Sequence, residues 1–292
     1  MNEEAGKAYW YAVLKLVAVM LVIWFLVSYG AGILFAPALN TFHKIYPQSP
    51  AEAQRYIDVG VDPERIGRPG NLKFDVAGVR PSPIRLQTLR EKLGLRVPDV
   101  VLLAGSTHPG EEEMVLEAYD RVREWVAGAR LIIVPRHPRR AGEVAVLARQ
   151  RQRRVQLFTS ATGREQWDVL VVDVMGVLSM LYSLAAVSFV GGSLVPKGGQ
   201  NPLESAAAGC PVVFGTDMSD FPDIATWLVE DEAALQVSDT IMLGAAWLRV
   251  LTDAGVQERM HKACRAVVDR HRGTTSAIAD EVSAMMDAGG RE

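Results

Sequence analysis

VSFVGGSLVPKGGQNPLESAAA, residues 187–208, is the stretch on which the fold turns. A run of strand length enters a loop with two glycine pairs, and the loop enters a helix start. Asn201 suits the cap of that helix and Pro202 its first turn, while Glu204 completes an N-x-x-E pattern resembling a capping box. Cap chemistry alone accounts for Asn201 and Glu204. It does not account for both Gly191-Gly192 and Gly198-Gly199, on either side of Ser193. A glycine-rich loop between a parallel strand and a helix N-terminus predicts a phosphate held by backbone N–H groups. Glu204 would then accept hydrogen bonds from ribose hydroxyls. The loop is neither GxxxxGK[ST] nor a GxGxxG after the first strand, which sets aside the common ATPase and NAD patterns.

The same alternation extends outward over 99–292. Apolar runs of strand length fall at 100–104, 130–134, 155–158, 169–172, 187–190, 211–214 and 235–237. Amphipathic runs of helix length separate them, at 111–127, 141–150, 177–184, 202–208 and 221–229, and three more at 240–252, 256–270 and 274–286 close the chain. This predicts an α/β protein, a doubly wound Rossmann-like parallel sheet with helices on both faces. Ligands of such sheets sit beyond the carboxyl ends of the strands, so the loops there hold the candidate residues. After 100–104, Ser106 and His108 lie in a small-residue loop suited to a phosphate, or serve the fold. Glu111, Glu112 and Glu113 read as compensation of a helix dipole. After 130–134, Pro135 and Pro138 fix a loop that presents Arg136 as a guanidinium fork or as part of a solvated basic turn. Gly176, after 169–172, brings an amide to a base or sugar, or simply makes a tight turn. Arg149, Arg151, Arg153 and Arg154 read as a solvent face, with an anionic membrane surface as the alternative.

Composition bounds the function. The chain has 292 residues, 49% hydrophobic and 22% charged, with a net charge of −3. These values exclude a disordered chain and give no basic field for nucleic acid. Cys210 and Cys264 form no CxxC pair, which excludes a disulfide scaffold and a structural zinc site. No DxD or clustered His/Asp set points to a metal. The apolar excess lies at the N-terminus: residues 16–42 carry no charge, and 16–35 read LVAVMLVIWFLVSYGAGILF. About 20 apolar residues span roughly 30 Å as a helix, a hydrocarbon core. Tyr9, Trp10 and Tyr11 beside Lys7 and Lys15 suit an interfacial belt. The expected organisation is a transmembrane or anchor segment at 1–42, a linker at 43–98, and a nucleotide-binding domain at 99–292.

Six motifs, GNLKFD at 70–75, AGSTHPGEEE at 104–113, VPRHPRR at 134–140, DVMG at 173–176, FVGGSLVPKGGQNPLE at 189–204 and RGT at 272–274, share order and spacing with one family. From residue 47 to the end the chain resembles the C-terminal half of bacterial 3-deoxy-D-manno-octulosonic acid (Kdo) transferases. The resemblance implies a GT-B glycosyltransferase that moves Kdo from CMP-Kdo to a lipid A precursor at the cytoplasmic face of the bacterial inner membrane. It implies that CMP is held by Pro135 and Arg136, by Met175, Gly176 and the residue after them, and by Asn201, Pro202, Leu203 and Glu204. The residue after Gly176 is Val177, where the family commonly has an acid. Lys73 is implied as the transition-state stabiliser, with the loop amides and Arg136 steadying the departing phosphate. No cofactor is implied beyond the donor substrate.

The family also carries an N-terminal acceptor domain with a catalytic glutamate, and nothing between Phe42 and Asn71 is long enough to be it. The expectation is therefore an incomplete transferase whose general base is absent from this chain, with an acceptor domain in trans as its complement. YWYAVLKLVAVMLVIWFLVSYGAGILF, 9–35, resembles the first helix of the small subunit of bacterial sodium/solute symporters, which points to a fusion or rearrangement near residue 43. Two alternatives stand beside this reading. One is a UDP-sugar-dependent GT-B enzyme or epimerase. The other is a non-catalytic, membrane-tethered nucleotide-binding remnant.

Overall fold

Apolar runs without polar alternation fold as strands when both faces are covered, and 169–171, 187–190 and 212–214 are buried along their whole length. The computed structural model describes residues 36–76, 81–97 and 99–289. Contacts divide the chain into Met1–Leu72 and Lys73–Glu292. The stretch 16–35, with its expected membrane helix and its symporter likeness, lies outside the described residues. Among the described residues no helix is long and apolar enough to cross a membrane.

In the first unit, α1 (Pro50–Asp58) starts where Ser49 Oγ accepts from Glu52 N at 3.2 Å. An isolated bridge pairs Ile45 with Ile66. The Asn40 side chain ties Gly60 O and Asp62 N together at 3.0 and 2.9 Å.

The second unit runs α2 (Lys73–Val76), α3 (Pro83–Lys92), β1 (Val100–Thr107), α4 (Glu111–Trp125), β2 (Ala129–Pro135), α5 (Ala141–Gln150), β3 (Val155–Leu157) and β4 (Val169–Val171). It continues with α6 (Leu178–Tyr182), β5 (Val187–Val190), α7 (Leu203–Ala208), β6 (Val212–Phe214), α8 (Pro222–Glu230), β7 (Ala234–Gln236), α9 (Thr240–Thr252), α10 (Ala254–His271) and α11 (Thr274–Gly289). All pairings are parallel, in one seven-stranded sheet of order β3-β4-β2-β1-β5-β6-β7. Every strand expected from the apolar runs is present.

Alternate residues of a strand face opposite sides, and β1 shows the consequence. Leu102 and Ala104 join Leu116 and Tyr119 of α4 and Trp247 of α9. Val101 and Leu103 join Leu89 and Leu93 near α3, Trp167, and Leu181 of α6. A third cluster packs β6 against α7, α8 and α10. It contains Cys264, whose Sγ lies 3.3 Å from Cys210 O. Burial pushes the Cys210 thiol up to about 12 and that of Cys264 higher still.

Residues 73–76 and 81–97, within the expected linker, contribute core side chains to this unit. Phe74 is fully buried beside His271, which stacks on Trp227 with ring centroids 4.4 Å apart. Asp75 reaches the start of α11, accepting from Gly273 N at 2.6 Å, Thr275 N at 2.6 Å and Thr275 Oγ1 at 2.8 Å. Of the arginines expected on a solvent face, Arg149 and Arg154 are exposed, but among the described residues three of the four also form ion pairs. Arg151 and Arg153 converge on Asp120, and Arg154 binds Asp168.

Candidate functional site

The chain leaves β1 for β2 on one side of the sheet and leaves β5 for β6 on the other. Because β1 and β5 are neighbours, a crevice opens beyond their carboxyl ends, the usual ligand position in a doubly wound sheet. β1 ends in a register shift between Gly105 and Thr107, with Ser106 at φ +56°. A non-glycine residue held there is strained, and the bend turns Ser106 into the crevice. A cavity of about 310 Å³ lies at this place. Ser106, Arg136, Met175, Gly176, Asn201 and Glu204 line it, all named from the sequence. Leu178, Ser179, Tyr182 and Gln200 complete the lining.

Glu204 is half-buried and has no hydrogen-bond partner among the described residues; burial alone pushes its carboxyl upward. The expected capping box is not what holds it. Asn201 Oδ1 accepts from Leu203 N at 3.0 Å, α7 begins at Leu203, and the Glu204 carboxylate is left to the cavity. Beside it, burial and then the Glu204 charge push the Tyr182 phenol well above its usual value. The backbone of Arg136 is fixed by N–H donation to Thr107 O at 2.9 Å, and its exposed side chain faces the cavity. Met175 is 68% exposed, and Gly176 adopts φ +84° in the turn before α6.

The glycine loop is arranged differently from the phosphate cradle expected of it. Gly192 N, Ser193 N and Leu194 N donate to the carboxylate of Glu111 at 2.7, 3.1 and 3.0 Å. Glu111 is therefore an internal anion on this loop and not merely a dipole-compensating residue. Ser193 Oγ is buried and accepts from Gly215 N at 2.7 Å. Gly191 packs on the backbone of Ser106 and Thr107, where a Cβ would collide. Gly198 and Gly199, at φ +76° and +74°, lie against Asp220 and Met218 with no room for side chains.

The remaining candidates are placed as follows. His108 Nε2 is 3.3 Å from Gln200 Nε2, at the edge of the cavity. Burial, then the charges of Lys197, His137, Arg136 and Arg140, hold His108 below its usual value. Pro135, Pro202 and Leu203 are buried supports, and Val177 packs against the core beside α6. Lys73 lies outside the cavity lining, its Nζ 4.7 Å from the centroid of the Phe221 ring. Among the described residues no group of three His, Cys, Asp or Glu side chains is placed to hold a metal.

Sequence reasoning passed over Ser179, Tyr182 and Gln200. Gln200 sat inside the quoted loop. Ser179 and Tyr182 are three apart, hence on one helix face, directly after a turn already marked by Gly176.

A family profile described as a domain of unknown function (DUF4212) matches residues 6–48. Its description names no activity, so the symporter likeness gains no support from it. The chain is 32% identical over 238 residues to the 3-deoxy-D-manno-octulosonic acid transferase of Haemophilus influenzae, covering 81% of this chain and 55% of that one. The enzyme of the same name from Rickettsia felis is 32% identical over 212 residues, covering 70% of this chain and 43% of that one. The chain thus spans about half the length of the curated relatives it matches. Among solved structures, the C-terminal CMP-Kdo binding domain of WaaA from Acinetobacter baumannii matches with TM-score 0.58 and 28% identity, over 63% of this chain and 96% of that one. A glycosyltransferase from Rickettsia africae shares the fold at TM-score 0.57 and 12% identity. By sequence the chain that carries this cavity is similar to about half of the bacterial 3-deoxy-D-manno-octulosonic acid transferases, and by sequence and fold to the C-terminal CMP-Kdo binding domain of WaaA.

Proposed function

We propose that the cavity beyond β1 and β5 binds the CMP portion of CMP-Kdo, and that the protein supplies the donor side of Kdo transfer to a lipid A precursor in lipopolysaccharide synthesis. The observation that carries this reading is the partnerless carboxylate of Glu204, facing the same cavity as Arg136. A half-buried carboxylate without donors is costly, and two ribose hydroxyls supply donors. Arg136, Ser106 and Gln200 face the phosphate, while Met175, Gly176 and Tyr182 border the base and sugar.

In the transfer, a lipid A sugar hydroxyl attacks the anomeric carbon of Kdo as the bond from that carbon to the CMP oxygen breaks. The bonding pair leaves with CMP, and the hydroxyl proton passes to a general base. Glu204 is the one carboxylate in the cavity lining, and this reading commits it to ribose. The base therefore comes from an acceptor-binding part beyond the cavity, in cis or in trans. Guanidinium and hydroxyl groups fixed around the departing phosphate lower the barrier because they need no reorganisation as charge develops. Lys73 belongs to this reading as a stabiliser of the same charge. The apolar run 16–35 tethers the domain to the bacterial inner membrane beside its lipid acceptor, and loss of membrane sedimentation on removal of residues 1–42 is the expected result.

Calorimetry with CMP, UDP and cytidine on the full chain in detergent tests the site. CMP is expected to bind and UDP to bind more weakly. Glu204→Ala should lose about 1.5–3 kcal/mol of CMP affinity, tenfold or more, with its melting transition retained. A folded Glu204→Ala protein that binds CMP within twofold of the parent would refute the assignment.

A further inference from the structure

Resting on that nucleotide reading, we infer that Glu111 is the positioning residue for the phosphate end of the cavity: an internal carboxylate occupies the loop amides and thereby sets Gln200 and Ser106 for the ligand. Glu111 is 0% exposed at the first residue of α4. Its Oε2 accepts from Gly192 N at 2.7 Å and from His108 N at 2.9 Å. Its Oε1 accepts from Ser193 N at 3.1 Å and Leu194 N at 3.0 Å. The four donors belong to two loops, one after β1 and one after β5, which are the two walls of the crevice.

Consecutive amides turned inward form an anion site, and here the anion belongs to the chain. Two routes lead from Glu111 to Gln200. Along the loop, Gly199 N donates to Gly192 O and Gln200 N to Gly191 O, each at 2.9 Å. Across the crevice, His108, whose N–H is held by Glu111, stands with its ring 3.3 Å from the Gln200 side chain. Ser106 is fixed by the same arrangement, because Gly191 N donates to Gly105 O at 2.8 Å and packs on the Ser106 backbone. The 192–194 amides are thus closed to a ligand phosphate, and its recognition falls to the side chains of Arg136, Gln200 and Ser106.

A glutamine at 111 keeps the shape but offers one acceptor oxygen and turns an NH₂ group toward N–H donors. The measurement is the ratio of CMP to cytidine affinity, since cytidine lacks the phosphate. A loss of general stability leaves that ratio unchanged. The parent is expected to prefer CMP by at least about tenfold, one charge-assisted contact's worth. Glu111→Gln should lower the ratio by about threefold or more, Arg136 holding what remains, while cytidine affinity stays within twofold. Gln200→Ala, at the cavity surface, should lower the ratio in the same way and decides the matter if Glu111→Gln does not fold. A parent that binds neither ligand refutes the nucleotide reading itself. A parent that prefers CMP, with Gln200→Ala or a folded Glu111→Gln keeping that preference, overturns the role of Glu111 alone.

Discussion

Gly105 has no space for a side chain: a Cβ there would run into the Tyr182 hydroxyl and come within 3.2 Å of Leu178 Cδ1. The residue sits in β1, one position before the strained Ser106, so its bareness lets α6 lie close enough to wall the cavity. Gly105→Ala should therefore destabilise the protein by about 1–3 kcal/mol, as overpacking does, and weaken CMP binding. Tyr182→Phe removes the atom that would be struck. In a double-mutant cycle read by denaturant unfolding, the tyrosine change should recover part of the loss, with a coupling of about 0.5–3 kcal/mol. Strictly additive costs would mean that the backbone moves away and Tyr182 is not the obstacle.

Among the elements, α2 and α11 show that motifs resembling those of a catalytic family can serve the architecture. Asp75, from GNLKFD, caps the helix that begins in RGT, some 200 positions later in the chain. Burial pushes the Asp75 carboxyl up, but hydrogen bonds from Thr275 and Gly273 and the charge of Arg272 outweigh it and hold the group below 3.8. A carboxyl lowered by folding contributes stability above its unfolded pKa and loses that contribution as pH falls through the folded value. Asp75→Ala should cost about 1 kcal/mol at neutral pH, the usual size for a lost cap. The gap between parent and variant in thermal melting should narrow below about pH 4. A gap constant down to pH 2.5 would exclude the titration.

The same pair shows what a sequence displays and what it hides. The seven strands stood out because parallel strands covered on both faces are continuous apolar runs, and Arg136, Gly176 and Glu204 stood out because they follow those strands or their loops. Glu111 was hidden because three of its four donors lie 81 to 83 residues away. Three glutamates at a helix start look alike until folding places one of them under another loop. The expected N-x-x-E cap misled for a related reason: Pro202 takes the cap position, Asn201 reaches only Leu203 N from the residue before it, and only the surrounding cavity shows that Glu204 is left without a partner.

At the scale of the whole molecule the net charge is −3, yet the charges of Lys197, His137, Arg136 and Arg140 all act on His108 beside the cavity, Arg140 while paired with Glu112 and Glu143. Anion binding by such a site is screened by salt, so CMP affinity should fall as ionic strength rises while cytidine affinity stays nearly flat. Equal salt dependence for both ligands would count against the phosphate assignment. The sheet also carries a reporter of its own opening. Cys210 precedes β6 and Cys264 lies on α10, both sealed in the same region. The thiolate is the form that attacks a thiol reagent, and burial suppresses it at both positions. Modification must wait for α10 to lift from the sheet, so the labelling rate under excess reagent clocks that excursion. If the two thiols react in step, the C-terminal helices and the β6–β7 side of the sheet open as one cooperative piece; if Cys264 reacts first, the helix frays ahead of the strand.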